Sequence, residues 1–242
     1  MNYFFFILFG LTPSIIWLLF YLRQDVHPES NHQVIKIFLY GMLIAIPVAF
    51  LELVFFKGFL LIGDFLILSP ILISISYLFL GVALVEEFFK YLVFKLKVEK
   101  SPALDEPIDI ILYMIIAGLG FAALENLLIF WPPLRLEIFE SLILSGLRFG
   151  GATFLHALCS GTLGYFLALS FFERKKRKRF FFTGLGIVAF LHGLYNYAIM
   201  KFEGGERFII PVIILIGLAF FVSWGISKVK KMKSVCKVYE PR

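Results

Sequence analysis

The stretch IDIILYMIIAGLGFAALENLLIF, Ile108–Phe130, decides the fold. A helix of about 20 apolar residues crosses the hydrocarbon of a bilayer. In lipid every backbone polar group needs a partner within the chain, so only helices and closed barrels span. This run is too long and too continuous for the short alternating strands of a barrel. Its middle, Ala117-Gly118-Leu119-Gly120-Phe121-Ala122-Ala123, is made of residues small enough for a second helix to approach closely. It leads directly into Glu125-Asn126, polar groups where hydrocarbon is expected.

Outward from this run, the same pattern repeats. Apolar spans fall near Tyr3–Leu22, Val34–Phe56, Phe65–Phe94, Leu142–Phe172, Phe180–Met200 and Phe208–Ser227. The chain of 242 residues is 60% hydrophobic and 17% charged, with 31 phenylalanines, whereas a soluble domain carries about a quarter charged residues. The expected fold is therefore all-α: a polytopic integral membrane bundle of about seven transmembrane helices, one transmembrane domain over residues 1–242. The third and fifth runs exceed what a bilayer needs and are expected to tilt or project into water. The first run has no basic n-region and no A-x-A-like site before Arg23, so it is expected to remain as a span. Cys159 and Cys236 are expected at different depths and unbridged.

Charge then sets the topology. Lys95, Lys97 and Lys100 follow the third span, Arg174–Arg179 follow the fifth, and Lys228, Lys230, Lys231, Lys233 and Lys237 follow the seventh. The loops after the second, fourth and sixth spans carry few, balanced charges. The positive-inside rule puts the C-terminus in the cytoplasm and the N-terminus outside the cell membrane. The formal charge of +6 is thus a topology signal that also attracts anionic lipid headgroups, and no nucleic-acid partner is expected.

Ionisable residues within spans are costly, which makes each a functional candidate. Adjacent Glu86 and Glu87 point about 100° apart on a helix, so one can face a cavity and the other a neighbouring helix. Lys90 lies one turn on, over both. His192 and Asn196 share a helix face, and Ala152, Ser160 and Gly164 share that of His156. For Glu52, near a span end, and Arg148, able to snorkel, a structural role is expected. Carboxylates, two imidazoles and a carboxamide from four helices can activate water and polarise a carbonyl, or hold a metal through His and carboxylate ligands.

At these residues the sequence resembles the PrsW family of intramembrane proteases. The resemblance rests on Glu86-Glu87-Phe88-Phe89-Lys90 (EExxK), Gly120-Phe121-Ala122-Ala123-Leu124-Glu125-Asn126, His156 within a span, and His192-Gly193-Leu194-Tyr195-Asn196 (HxxxN). It covers the catalytic-motif region, about residues 80–200. CAAX-type relatives carry EExxxR instead, so Lys90 favours the PrsW branch. The resemblance implies an endopeptidase that cuts membrane-anchored proteins, an anti-sigma factor among the candidate substrates. It implies site roles for Glu86, Glu87, His156, His192, Asn196 and Glu125.

In the mechanism expected from amide hydrolysis, Glu86 is the general base and Glu87 orients water or pairs with Lys90. Asn196 donates to the developing oxyanion, and Lys90, Glu125 and Asn126 support. His156 and His192 either ligate zinc or hydrogen-bond the water, with Glu86, Glu87 or Glu125 as a third ligand. A vertical offset approaching 10 Å, at 1.5 Å per residue, argues against Glu125. The groups are expected to meet in one cavity open toward the cytoplasmic half. The competing readings are a proton-coupled transporter, against which no inverted repeat is evident, and a non-catalytic sensor with a polar core.

Overall fold

The computed structural model describes residues 3–25, 27–130 and 137–232; Cys236, Lys233 and Lys237 lie outside them. The described residues form seven helical spans and no strand, a polytopic helical bundle as the apolar runs predict. They are α1 (Tyr3–Leu22), α2 (Asn31–Phe65), α3 (Pro70–Ser76) continuing into α4 (Leu84–Lys97), α5 (Pro107–Ile129), α6 (Ile138–Gly150) with α7 (Ala152–Phe172), α8 (Arg177–Lys201) and α9 (Ile209–Val229).

Local chemistry sets the boundaries. The Ser30 side chain accepts from Gln33 N at the start of α2. Ser69 does the same for Leu72 N, with Pro70 in the first turn, where its missing N–H costs nothing. Glu106 and Asp109 form a capping box on α5, again followed by proline. At 35 residues α2 is about 52 Å long, well beyond the ~30 Å hydrocarbon. It extends past its apolar stretch at both ends, through Asn31-His32-Gln33 and through Lys57 and Asp64.

Each of the two overlong runs carries an irregularity. In the third, a π-helix, Tyr77–Ala83, joins α3 to α4. One wide turn shifts the angular register of everything after it, and such turns are frequent at functional sites. In the fifth, the helix breaks between α6 and α7 at Gly151, with φ −110° and ψ −102°. A Cβ there would lie 2.6 Å from both Leu147 O and the Tyr195 hydroxyl.

Helix α5 is the axis of the bundle. Nearly all of it is buried, packed against α7, α2 and α1. It lies that close because glycines stand where a side chain would collide with the neighbouring helix. A Cβ on Gly118 would meet Ser160 Oγ at 2.2 Å, and one on Gly41 of α2 would meet Ala117 O at 2.2 Å. Around it the surface is inverted relative to a soluble protein: Phe50, Phe139, Phe220 and Leu61 are exposed, while Glu87, Lys90 and Asn126 are fully buried. Cys159 is a buried free thiol.

Ion pairs tie one end of the bundle together. His27 joins Glu106, Lys95 joins Glu99, and Arg177 at the start of α8 also reaches Glu99. This end carries the basic segments after α4, α7 and α9.

Because α5 packs through backbone contacts, Gly118→Ala and Gly41→Ala are each expected to lower stability by about 3 kcal/mol, the upper end of the overpacking range. Gly146→Ala, with nothing within 4 Å of its Cβ position, is expected to be neutral. Thermal unfolding in detergent checks this: equal melting temperatures for Gly118→Ala and Gly146→Ala would contradict the packing.

Candidate active site

Four helices deliver the polar groups singled out in the sequence, and the structure brings them together. From α4, Glu86 and Glu87 diverge as adjacent helical residues do: Glu86 lines a cavity, while Glu87 is wholly buried against its neighbours. One turn on, the buried Lys90 ammonium donates to Glu87 Oε1 at 2.8 Å and to Glu86 Oε2 at 3.3 Å. It also lies 2.6 Å from His156 Nδ1 and 4.6 Å from the centre of the Phe121 ring. The His156 and His192 rings, from α7 and α8, meet edge to face with centroids 5.2 Å apart.

The two imidazoles are held alike. His156 Nε2 lies 2.7 Å from Glu125 Oε2, and His192 Nδ1 lies 2.8 Å from Glu87 Oε1. If each ring donates that outward N–H to its carboxylate, the other nitrogen faces inward with its lone pair. Both inward nitrogens point toward one atom: Glu86 Oε2 is 3.7 Å from His156 Nδ1 and 4.0 Å from His192 Nε2. A carboxylate behind each imidazole fixes its tautomer and raises its basicity, which is how metal-binding histidines are commonly supported.

Glu125 therefore sits beside the site despite its expected offset. The His156 ring bridges the step, with Glu125 on one nitrogen and Lys90 and Glu86 at the other. Behind Glu125, Arg148 Nη2 lies 3.1 Å from Glu125 Oε1, and Arg148 Nε donates to Asn126 Oδ1. Asn126 Nδ2 in turn donates to Thr153 Oγ1 at 3.1 Å. Arg148 does not snorkel; its side chain is only 12% exposed, locked to Glu125 and Asn126. Glu52, on α2, likewise stands beside Glu86, near enough for the two carboxyl groups to influence each other. Its spacing from the EExxK motif gave no hint of this, since α2 and α4 meet only through packing.

The cavity has a volume of about 460 Å³. Glu86, His156 and His192 line its floor, and Glu125, Arg148, Tyr195, Asn196, Arg207 and Phe208 line the rest. Asn196, one turn beyond His192, faces this space as HxxxN predicts. The end of α8 and the start of α9 lie opposite the basic end, so the cavity opens away from the basic loops. The sequence reading expected the opening at the end that carries the basic loops; in the bundle it lies at the other end. Glu86 is eleven residues from Lys97, about 16 Å along the helix from the basic end. Arg207 and Tyr195 had no sequence signal. Arg207 sits in a short loop, and the Tyr195 hydroxyl is placed by the glycine break at Gly151.

The donors fit a metal ion. Ligand atoms of Glu86, Glu87, His156 and His192 all lie within 4.8 Å of one another. Glu87 Oε2 is buried without a hydrogen-bond partner, an atom that a cation would satisfy. Nitrogen and carboxylate oxygen are ligands that zinc accepts. Glu125 is outside this group, on the far side of His156.

Comparison with known proteins gives the family. The profile of the PrsW family intramembrane metalloproteases matches residues 29–224. Protease PrsW of Geobacillus kaustophilus is 28% identical over 94% of this chain and 92% of its own length. Protease PrsW of Bacillus subtilis is 27% identical over 93% of this chain and 94% of its own length. That of Clostridioides difficile is 26% identical over 80% of this chain and 78% of its own. No solved structure matches the chain. A carrier or a non-catalytic sensor is thereby set aside, and the chain belongs to the PrsW family of intramembrane proteases.

Proposed function

We propose that this protease hydrolyses a peptide bond of a membrane-anchored protein inside the 460 Å³ cavity, with Glu86 as the general base. The observation that carries the reading is the convergence of both inward-facing imidazole nitrogens on Glu86 Oε2, at 3.7 and 4.0 Å, on the floor of that cavity. A water there has an acceptor in Glu86 and the inward nitrogen of His192 nearby, while the inward nitrogen of His156 accepts from Lys90. Glu86 takes the proton as the oxygen attacks the scissile carbonyl, then returns it to the leaving amine. Asn196 donates to the oxyanion that develops, a contact typically worth about 3 kcal/mol. Glu87, Lys90 and Glu125 hold the imidazoles and the base in place, and Arg148 holds Glu125.

The family's metal, for which zinc is our assignment, would be held by His156, His192 and Glu87. When bound it supplies a Lewis acid that polarises the carbonyl and lowers the pKa of water. Lys90 would give up His156 Nδ1 and keep the two glutamates.

Glu86→Gln is expected to lower cleavage of a single-span substrate by about 10²–10⁴-fold. His156→Ala is expected to do the same, with membrane insertion unchanged in both. Near-wild-type cleavage by either folded variant would remove that residue from its role.

Metal analysis of the purified protein separates the ligand question from activity. About one zinc per chain is expected, lost in the His156→Ala and His192→Ala variants and retained in Asn196→Ala. A metal-free protein that still cleaves would leave the glutamate and imidazoles as the whole catalytic apparatus.

In the cell membrane, the basic end of the bundle is expected in the cytoplasm and the cavity mouth outside. A reporter fused after Arg242 is expected to be active in the cytoplasm; activity only outside would invert the topology.

A further inference from the structure

Four charged residues line the cavity: Glu86, Glu125, Arg148 and Arg207. Three are accounted for. Glu86 is bound by Lys90, and Arg148 is matched by Glu125 and Asn126. Arg207 is different. It lies in the turn Gly204–Phe208 that leads into α9, at the cavity's open end. Among the described residues no carboxylate pairs with it, although Glu203 and Glu206 are its near neighbours in sequence; both are exposed. Its guanidinium lies 5.5 Å from the Phe208 ring centre, and its Nε is buried with no hydrogen-bond partner.

A buried N–H without an acceptor is costly, and more so on a cation. A guanidinium satisfies this best with a carboxylate, whose two oxygens accept parallel hydrogen bonds. Arg148, the cavity's other arginine, is already ion-paired within the protein, to Glu125, and its Nε donates to Asn126. The unmatched one stands where a peptide running toward Glu86 would enter.

We propose that Arg207 is a specificity residue that reads a carboxylate of the substrate, close in sequence to the bond that is cut. This rests on the protease reading of the cavity. The carboxylate comes either from an aspartate or glutamate side chain or from the substrate's own C-terminus. In both cases Arg207 binds outside the reacting atoms and discriminates between substrates by charge.

The test uses the full chain in proteoliposomes with single-span model substrates. These carry a randomised segment next to the span on the cavity side, and cleavage sites are mapped by mass spectrometry. Wild type is expected to favour segments with Asp or Glu over their Asn or Gln counterparts by about 10- to 100-fold in kcat/KM. Arg207→Gln is expected to bring that ratio near one, and Arg207→Lys to keep part of it. Arg207→Glu is expected to cleave lysine-bearing segments faster than wild type does, a gain that a misfolded variant cannot produce. Substrates ending just beyond the segment, with a free or an amidated C-terminus, separate the two carboxylate sources. A preference lost on amidation assigns the terminus; one that survives assigns the side chain. An acidic preference that is absent in wild type, or unchanged in Arg207→Gln, overturns the inference and leaves the protease reading intact. No cleavage of any segment by wild type overturns both.

Discussion

The buried ammonium of Lys90 is the interaction on which this site depends. In hydrocarbon a lone carboxylate is prohibitively costly, and two adjacent ones on a helix are worse. Lys90 donates to both and touches the imidazole of a second helix, so α4 and α7 are fixed relative to each other by one cation. From it the network spreads in two directions. Through Glu87 it reaches His192 on α8; through His156 it reaches Glu125 on α5, then Arg148 at the end of α6. Each step pairs a charged or polar group with a neighbour, and Glu86, Glu125, Arg148 and the two imidazoles also face the cavity. Buried ion pairs are weak sources of net stability, but breaking one is severe. The network therefore specifies how the helices meet more than it strengthens their meeting.

Two backbone features make that network geometrically possible. Glycine contacts let α5 lie against α2 and α7 at backbone distance, which brings Glu125 within one side-chain length of His156. The π-helix at Tyr77–Ala83 sets the rotation of α4, and so decides that Glu86 rather than Glu87 meets the cavity. A regular helix of the same sequence would present a different face at that depth.

Hydropathy made the span count legible, and helical spacing made the local pairs legible: Glu86 and Glu87 diverge, and Lys90 covers both. What spacing does not carry is any relation between helices. Glu52 reads as a residue near a span end, because the apolar stretch stops at Phe56 while the helix continues to Phe65. Arg148 reads as a snorkelling side chain, because its partners lie more than twenty residues earlier on α5. The offset of Glu125 is real along the helix axes, but an imidazole with a long carboxylate on each side spans it. The direction of the cavity depends on how the helix ends splay, and only the assembled bundle shows it.

The central position of α5 has a consequence for how the chain enters the membrane. It emerges after α1 and α2, against which it packs, and before α6 and α7. Glu125 and Asn126 therefore enter the membrane ahead of Arg148 and His156, their partners on α6 and α7. For that interval the two polar residues must stay near the lipid boundary or within the insertion machinery. The polar end of α5 thus finds its protein partners only when the next helical pair packs against it, so burial of that end and assembly of the polar cluster are one event.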